Sequence, residues 1–252
     1  MKDYILECCV DSVESAIHAA KGGASRLELC ANLIIGGTTP DVALVKEIRK
    51  YSDIRIHALI RPRFGDFCYT KHEMEIMKSQ IRALKEAGVE GVVIGVLDED
   101  GNLDVSKMKE LMQEANGLSV TLHRAFDMCK DPFQALEESI SLGMHTILTS
   151  GQKASAWEGR DLLCQLIKQA DGRIDIMAGA GISASVIEKL IPVTKGTSYH
   201  MSGKITLDSK MKYRKAEVSM GLPSLSEYEI WQTSEEAVRE AVQVLEHAKM
   251  ES

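Results

Sequence analysis

The sequence predicts a single-domain α/β chain folded as a (β/α)8 TIM barrel, on three observations. Short β-branched or apolar runs alternate with longer stretches of helical periodicity from one end to the other. Eight such runs in 252 residues match the usual size of a closed barrel. No shift in composition divides the chain, so 1–252 reads as one domain. The rival fold, a doubly wound sheet, carries a glycine-rich turn after its first strand, and here Cys9-Val10-Asp11-Ser12 fills that place.

Taken in order, the first strand is expected at 5–10, followed by a helix at 13–21 that Gly22 stops. The second strand, 26–30, leads to a helix at 41–51 that starts at Asp41 after Pro40. Strand three, 55–60, precedes a helix at 72–87 ended by Gly88. Strand four, 91–96, precedes a helix at 106–115 ended near Gly117. Strand five, 119–123, is followed by Asp131-Pro132-Phe133, an N-cap with proline at the first helical position, opening a helix over 132–142 that Gly143 closes. Strands at 146–149, 175–178 and 196–200 alternate with helices at 160–170 and 183–190. A long loop, 201–233, and a C-terminal helix at about 234–249 complete the chain, the loop suiting a lid over the barrel mouth or a subunit contact.

Composition excludes several function classes. A net charge of -7 with no dense basic run, and 5% aromatics, argue against a nucleic-acid partner. The longest apolar runs, such as 91–97, fall far short of the roughly 20 residues that span a bilayer, and no secretory segment follows Met1, so no membrane partner and a cytoplasmic location are expected. Six cysteines with no C-x-x-C pair make neither a disulfide scaffold nor a zinc ribbon. No lysine lies within or at the C-terminal end of an expected strand, which removes Schiff-base chemistry, and no His-x-His pair marks a two-metal hydrolase.

Barrel function sits at the C-terminal ends of the strands, and polar residues crowd those ends here. Side chains alternate with period two, so Glu7 shares a face with Cys9, and Glu28 with Cys30. Burying an unpaired charge in the apolar strand–helix layer costs several kcal/mol, so both glutamates are expected to point into the barrel and to bring both cysteines with them. They then serve function, or Arg61 and Arg124 neutralise them in a structural layer. Two thiolates on adjacent strands suit Cu(I), while two inert buried cysteines are the plainer reading. His123, Arg124 and Asp127 close strand five, and His200 closes strand eight, a set suited to an anion or a proton. Arg61 and Arg63 flank Pro62 and offer two forks for a carboxylate or phosphate. Ser150-Gly151 and Gly179-Ala180-Gly181 let backbone N–H groups approach an anion. Met74, Met77, Met108 and Met112 have helical spacing and read as core.

The chain resembles the CutC family of copper homeostasis proteins over nearly its whole length. The stretches that carry the resemblance are 7–12, 23–30, 36–40, 60–67, 123–128, 148–151 and 177–182. It implies a TIM-type barrel, association into dimers or larger homo-oligomers, and a role in copper tolerance, with copper binding attributed to some members. Cys9 and Cys30 fall where the family pattern has cysteines, whereas Phe64 stands where it has glycine. The resulting expectation is a cytoplasmic protein that handles Cu(I) through Cys9 and Cys30, with no organic cofactor. The alternative is an enzyme acting on a small anionic metabolite. In it Glu7 and Glu28 are acid/base groups, His123 is a proton shuttle, and Arg61, Arg63, Arg124, Asp127, Ser150, Gly151, Gly179, Gly181 and His200 bind the ligand. A further variant has Glu7, Glu28 and His200 hold a hard divalent ion.

Overall fold

The computed structural model describes residues 4–215, 217–218, 220 and 225–250. Residues 1–3 and 251–252 of the expected domain, and 216, 219 and 221–224 of the expected loop, lie outside the described residues. The strands are β1 (Ile5–Val10), β2 (Arg26–Leu29), β3 (Arg55–Leu59), β4 (Gly91–Ile94), β5 (Ser119–Leu122), β6 (Thr146–Thr149), β7 (Asp175–Ala178) and β8 (Ser198–Met201). Each pairs with the next, and β8 pairs in parallel with β1, so the barrel closes. Helices α1 (Val13–Gly22), α2 (Val42–Ile48), α3 (Lys71–Glu86), α4 (Val105–Glu114), α5 (Pro132–Ser141), α6 (Arg160–Ala170) and α7 (Ala184–Thr194) alternate with them.

Local chemistry sets the helix ends. Ser12 accepts from the Ser15 amide at the start of α1, and the left-handed residue that stops it is Gly23, φ 94, one past the expected Gly22. Thr70 and Glu73 form a reciprocal capping box on α3. Asp131 accepts from the Phe133 and Gln134 amides while Pro132 opens α5. Helix α7 runs past the expected 190 through Pro192, because Leu190 and Thr194 are buried and the Thr194 hydroxyl donates to the Leu190 carbonyl.

Alternation along each strand sorts the side chains. Leu6, Val10, Leu27, Leu29, Ile56, Val92, Ile94, Val120, Leu122 and Ile147 are buried in the apolar core, each worth about 1.5–3 kcal/mol. The other faces contribute Glu7, Arg26, Glu28, His57, Thr121, Thr146 and Ser198, so polar groups are buried in the barrel as well. Strands β2 to β5 end one or two residues earlier than expected, because the chain turns there into the loops of the mouth.

The expected 201–233 loop needs correction. Its ends form β9 (Lys204–Asp208) and β10 (Glu229–Thr233), an antiparallel pair with Lys204 opposite Thr233. Lys204 Nζ lies 3.2 Å from the Trp231 ring centroid. The Thr233 amide donates to Ser15 Oγ on α1, and its hydroxyl to the Ser202 carbonyl. The last helix, α8 (Glu235–Met250), then packs between α7 and α1. No helix among the described residues is long and apolar enough to cross a membrane.

Candidate functional site

Register brings the inward polar groups together. Glu7 pairs laterally with Arg26 on β2 and with His200 on β8, while Cys9 pairs with Glu28, and Glu28 with His57. Glu7, fully buried, accepts from Arg26 Nε at 2.5 Å and has His200 Nδ1 at 2.8 Å on its other oxygen. The arginines once available to neutralise it, Arg61 and Arg124, are not its partners; Arg26 is. Burial opposes the Glu7 charge, but Arg26 and His200 outweigh it and hold the carboxyl well below the usual range. Both Glu7 oxygens are engaged, one by Arg26 and one by His200.

The cluster at the mouth is instead Cys9, Glu28 and His200, whose donor atoms all lie within 4.8 Å of one another. His200 Nε2 is 3.7 Å from Glu28 Oε2. Cys30 is fully buried, its thiol donating to the same oxygen, Glu28 Oε2, at 3.5 Å. Cys9 packs against the small buried cluster that Cys30 forms with Leu59 and Val93. Burial, reinforced by the Glu28 charge, pushes the Cys30 thiol well above its ordinary value, and burial also raises Glu28. Burial works against a charge on His200 too, yet Cys9, Glu7 and Glu28 together raise it well above the usual imidazole value.

This cluster forms one wall of a cavity of about 310 Å3, lined also by Leu33, Leu59, Phe67, Leu148 and Met201. Arg61, His123 and Arg124 lie on it as well, with Gly181 from the loop after β7. His123 caps the short 3-10 turn Arg124–Met128, its Nδ1 accepting from the Ala125 amide. Glycines make room for the imidazoles: a Cβ on Gly95 would stand 2.5 Å from His123 Cε1, and one on Gly91 would stand 2.6 Å from the His57 ring.

Other expected ligand-binding residues are engaged elsewhere. Arg63 bonds Glu73 at 2.6 Å and Asp66 at 2.9 Å, which ties down its own loop and keeps it off the cavity lining. Asp127 accepts from Arg124 Nε, the Thr149 hydroxyl and the amides of Ser150 and Gln152. The Ser150 hydroxyl is spent on Lys153 and Asp127, and the Gly151 amide on Thr149 Oγ1. A Cβ on Gly151 would meet the Gly159 carbonyl at 2.3 Å, so that glycine serves packing. The Gly179 amide donates to the Thr149 carbonyl. Sequence reasoning missed Arg26, whose place at the start of β2 carries no mark of a buried partner, and Phe67, whose ring lies 4.9 Å from that of His123.

Comparison with known proteins agrees with the fold. Residues 4–205 match the CutC family. A family protein CutC of Vibrio campbellii is 44% identical over 242 residues, covering 95% of this chain and 98% of the relative. The human copper homeostasis protein cutC homolog is 44% identical over 237 residues, covering 94% of this chain and 87% of the human one. The crystal structure of a copper homeostasis protein CutC from Streptococcus agalactiae superposes with a TM-score of 0.75 at 29% identity, over 79% of this chain and 98% of that one. Phosphoribosylanthranilate isomerase of Pyrococcus furiosus, at 14% identity and TM-score 0.56 over 97% of this chain and 99% of its own, shares the barrel alone. With the matched stretch spanning every strand of the barrel, the chain belongs to the CutC family.

Proposed function

We propose that this CutC family member serves copper homeostasis by holding Cu(I) as cargo at the mouth of the barrel, on Cys9 Sγ and His200 Nε2, with Cys30 Sγ as the second thiol. The observation that carries this reading is the meeting of Cys9, Glu28 and His200 within 4.8 Å. The donor set fits a soft ion: thiolate and imidazole suit Cu(I), whereas a hard divalent ion wants oxygen ligands and is offered only Glu28. Glu7 accepts from His200 Nδ1 and so turns Nε2 toward Glu28 and Cys9, a carboxylate orienting a metal-binding imidazole. A thiol must lose its proton to bind metal. Glu28, raised by burial, receives the proton of the Cys30 thiol from which it already accepts, and the other protons displaced by the metal, that on His200 Nε2 included, pass to solvent.

A Cu(I) titration against a chromogenic chelator tests the proposal. Cys9→Ala and His200→Ala are expected to weaken binding, and Glu7→Gln to weaken it by roughly 10- to 100-fold. A Cys30→Ala variant separates two-thiol from one-thiol binding. Unchanged affinity in the Cys9→Ala/His200→Ala double variant would falsify the assignment. In the same reading the protein works in the cytoplasm as a homo-oligomer, a dimer or higher. Exposed Ile34, Ile35, Phe64 and Met128 are apolar surface available for such contacts. Light scattering on the purified chain measures the oligomeric mass, and a monomer removes that part.

A further inference from the structure

The cavity has a second wall that copper does not use. His123 is 5% exposed, and because its Nδ1 accepts from the Ala125 amide, the ring proton sits on Nε2, which has no partner. Burial, aided by the Arg61 charge, lowers its pKa to about 3, so the ring stays a neutral donor. Arg61 gives Nη1 and Nη2 to the carbonyls of Gly36, Gly37 and Gly65, and its guanidinium also lies beside the Tyr69 hydroxyl. Both groups pack on Phe67, the guanidinium carbon 5.1 Å and the imidazole centroid 4.9 Å from that ring. A buried donor left unpaired is costly, so His123 Nε2–H beside this ring calls for an acceptor.

Charge says what kind of acceptor. Arg124 bonds Asp127 through Nε and Ser150 through Nη2, and its Nη1 makes no hydrogen bond among the described residues. Arg61 and Arg124 thus bring two guanidiniums to the cavity, Arg124 paired with Asp127 and Arg61 without an ion-pair partner among the described residues. Ala180 and Gly181 both adopt left-handed backbone, φ 73 and 71, just ahead of α7, and the amides of Gly181 and Ile182 border the cavity without a protein acceptor among the described residues. The positive end of that 11-residue helix adds to the two guanidiniums. Leu33, Leu59, Leu148 and Ile182 supply apolar walls, and about 310 Å3 is the size of a small metabolite.

We propose that this cavity binds a small organic molecule bearing an oxyanion group, a carboxylate or a phosphate, with its charged end held by Arg61, Arg124 and His123 and its other end facing Cys9, Glu28 and His200. The residues that hold the charged end are not copper donors, so the proposal goes beyond copper handling. The test uses the full chain, stripped of metal by a chelator, in thermal melts with inorganic phosphate and with pyruvate against sodium chloride at matched ionic strength. A saturable rise in Tm with one of the two anions is expected, the anion that gives it identifying the group, and it should be roughly tenfold or more weaker in Arg124→Gln. Where a His123 variant does not fold, the 1H–15N signal of His123 Nε2 in the unaltered protein provides the readout and is expected to shift on anion addition. Stabilisation no greater than that of chloride overturns the proposal, as does a saturable effect unchanged in Arg124→Gln with an unmoved Nε2 signal. Arg124→Gln leaves the copper donors Cys9 and His200 in place, so an unchanged Cu(I) affinity in the variant whose anion binding falls separates this site from the copper reading.

Discussion

His57 and His123 are the residues at which acid should first be felt. Burial, with Arg26 beside one and Arg61 beside the other, lowers their pKa values to about 4 and about 3. In the unfolded chain both protonate near 6.5, so below that pH the unfolded state binds more protons and stability falls with falling pH. Glu28 and Asp175, raised by burial, take up protons first in the folded state and offset part of the loss. His200, raised, is protonated in both states below 6.5 and adds nothing in this window; its contribution is lost only as pH rises through its folded value. Glu7, lowered, contributes above the ordinary carboxylate range and is lost only at lower pH. Each histidine is worth about 1.4 kcal/mol per pH unit, so stability is expected to drop by roughly 2–3 kcal/mol between pH 6.5 and 5. Urea unfolding at the two pH values measures it, and His57→Gln, which cannot titrate, should shrink the drop. A flat profile would mean that these rings are already charged.

At the scale of strands and loops, glycine decides where an imidazole can stand. A Cβ at position 95 would come within 2.5 Å of His123 Cε1, 2.7 Å of Nδ1 and 3.0 Å of Ala125 Cβ. Gly95→Ala must therefore push the ring off the Ala125 amide, and the overpacking is expected to cost about 1–3 kcal/mol. A stability within about 0.5 kcal/mol of the parent, the scale of an ordinary surface substitution, would show slack around His123. The same strands show what a sequence can and cannot reveal. Alternation located all eight strands, because period two is a property of one strand alone, and it put Glu7, Cys9, Glu28 and Cys30 inside for the same reason. Register between strands is not written in either strand. Cys9 therefore came to lie level with Glu28, not Cys30, and Arg26 emerged unannounced as the partner of Glu7. Hydrogen bonding inside loops is equally hidden, so the sequence did not announce that Arg63, Asp127, Ser150 and Gly151 bond within and between their own loops.

For the molecule as a whole, the weak place in a closed barrel is the seam where the last strand meets the first, and here that seam carries the site. Glu7 and Cys9 lie on β1, and His200, level with Glu7, lies on β8. Helix α8 packs on both α1 and α7, burying Val238, Ala241, Val242 and Leu245. Gly22 lets the two helices approach: a Cβ there would stand 2.6 Å from Val238 Cβ and 2.8 Å from the Glu235 carbonyl oxygen. Two effects compete in Gly22→Ala. Helix propensity favours alanine by about 1 kcal/mol near the end of α1, while the backbone contact with Glu235 cannot relax by rotating a side chain and overpacking costs about 1–3 kcal/mol or more. The clash wins, so the variant is expected to be net destabilised and to loosen α8. Hydrogen exchange should then quicken at the amides of β1 and β8 before those of β4 and β5, across the barrel from the seam. If Gly22→Ala instead raises stability, or if exchange quickens evenly around the barrel, α8 is not the clasp that keeps Cys9 and His200 together.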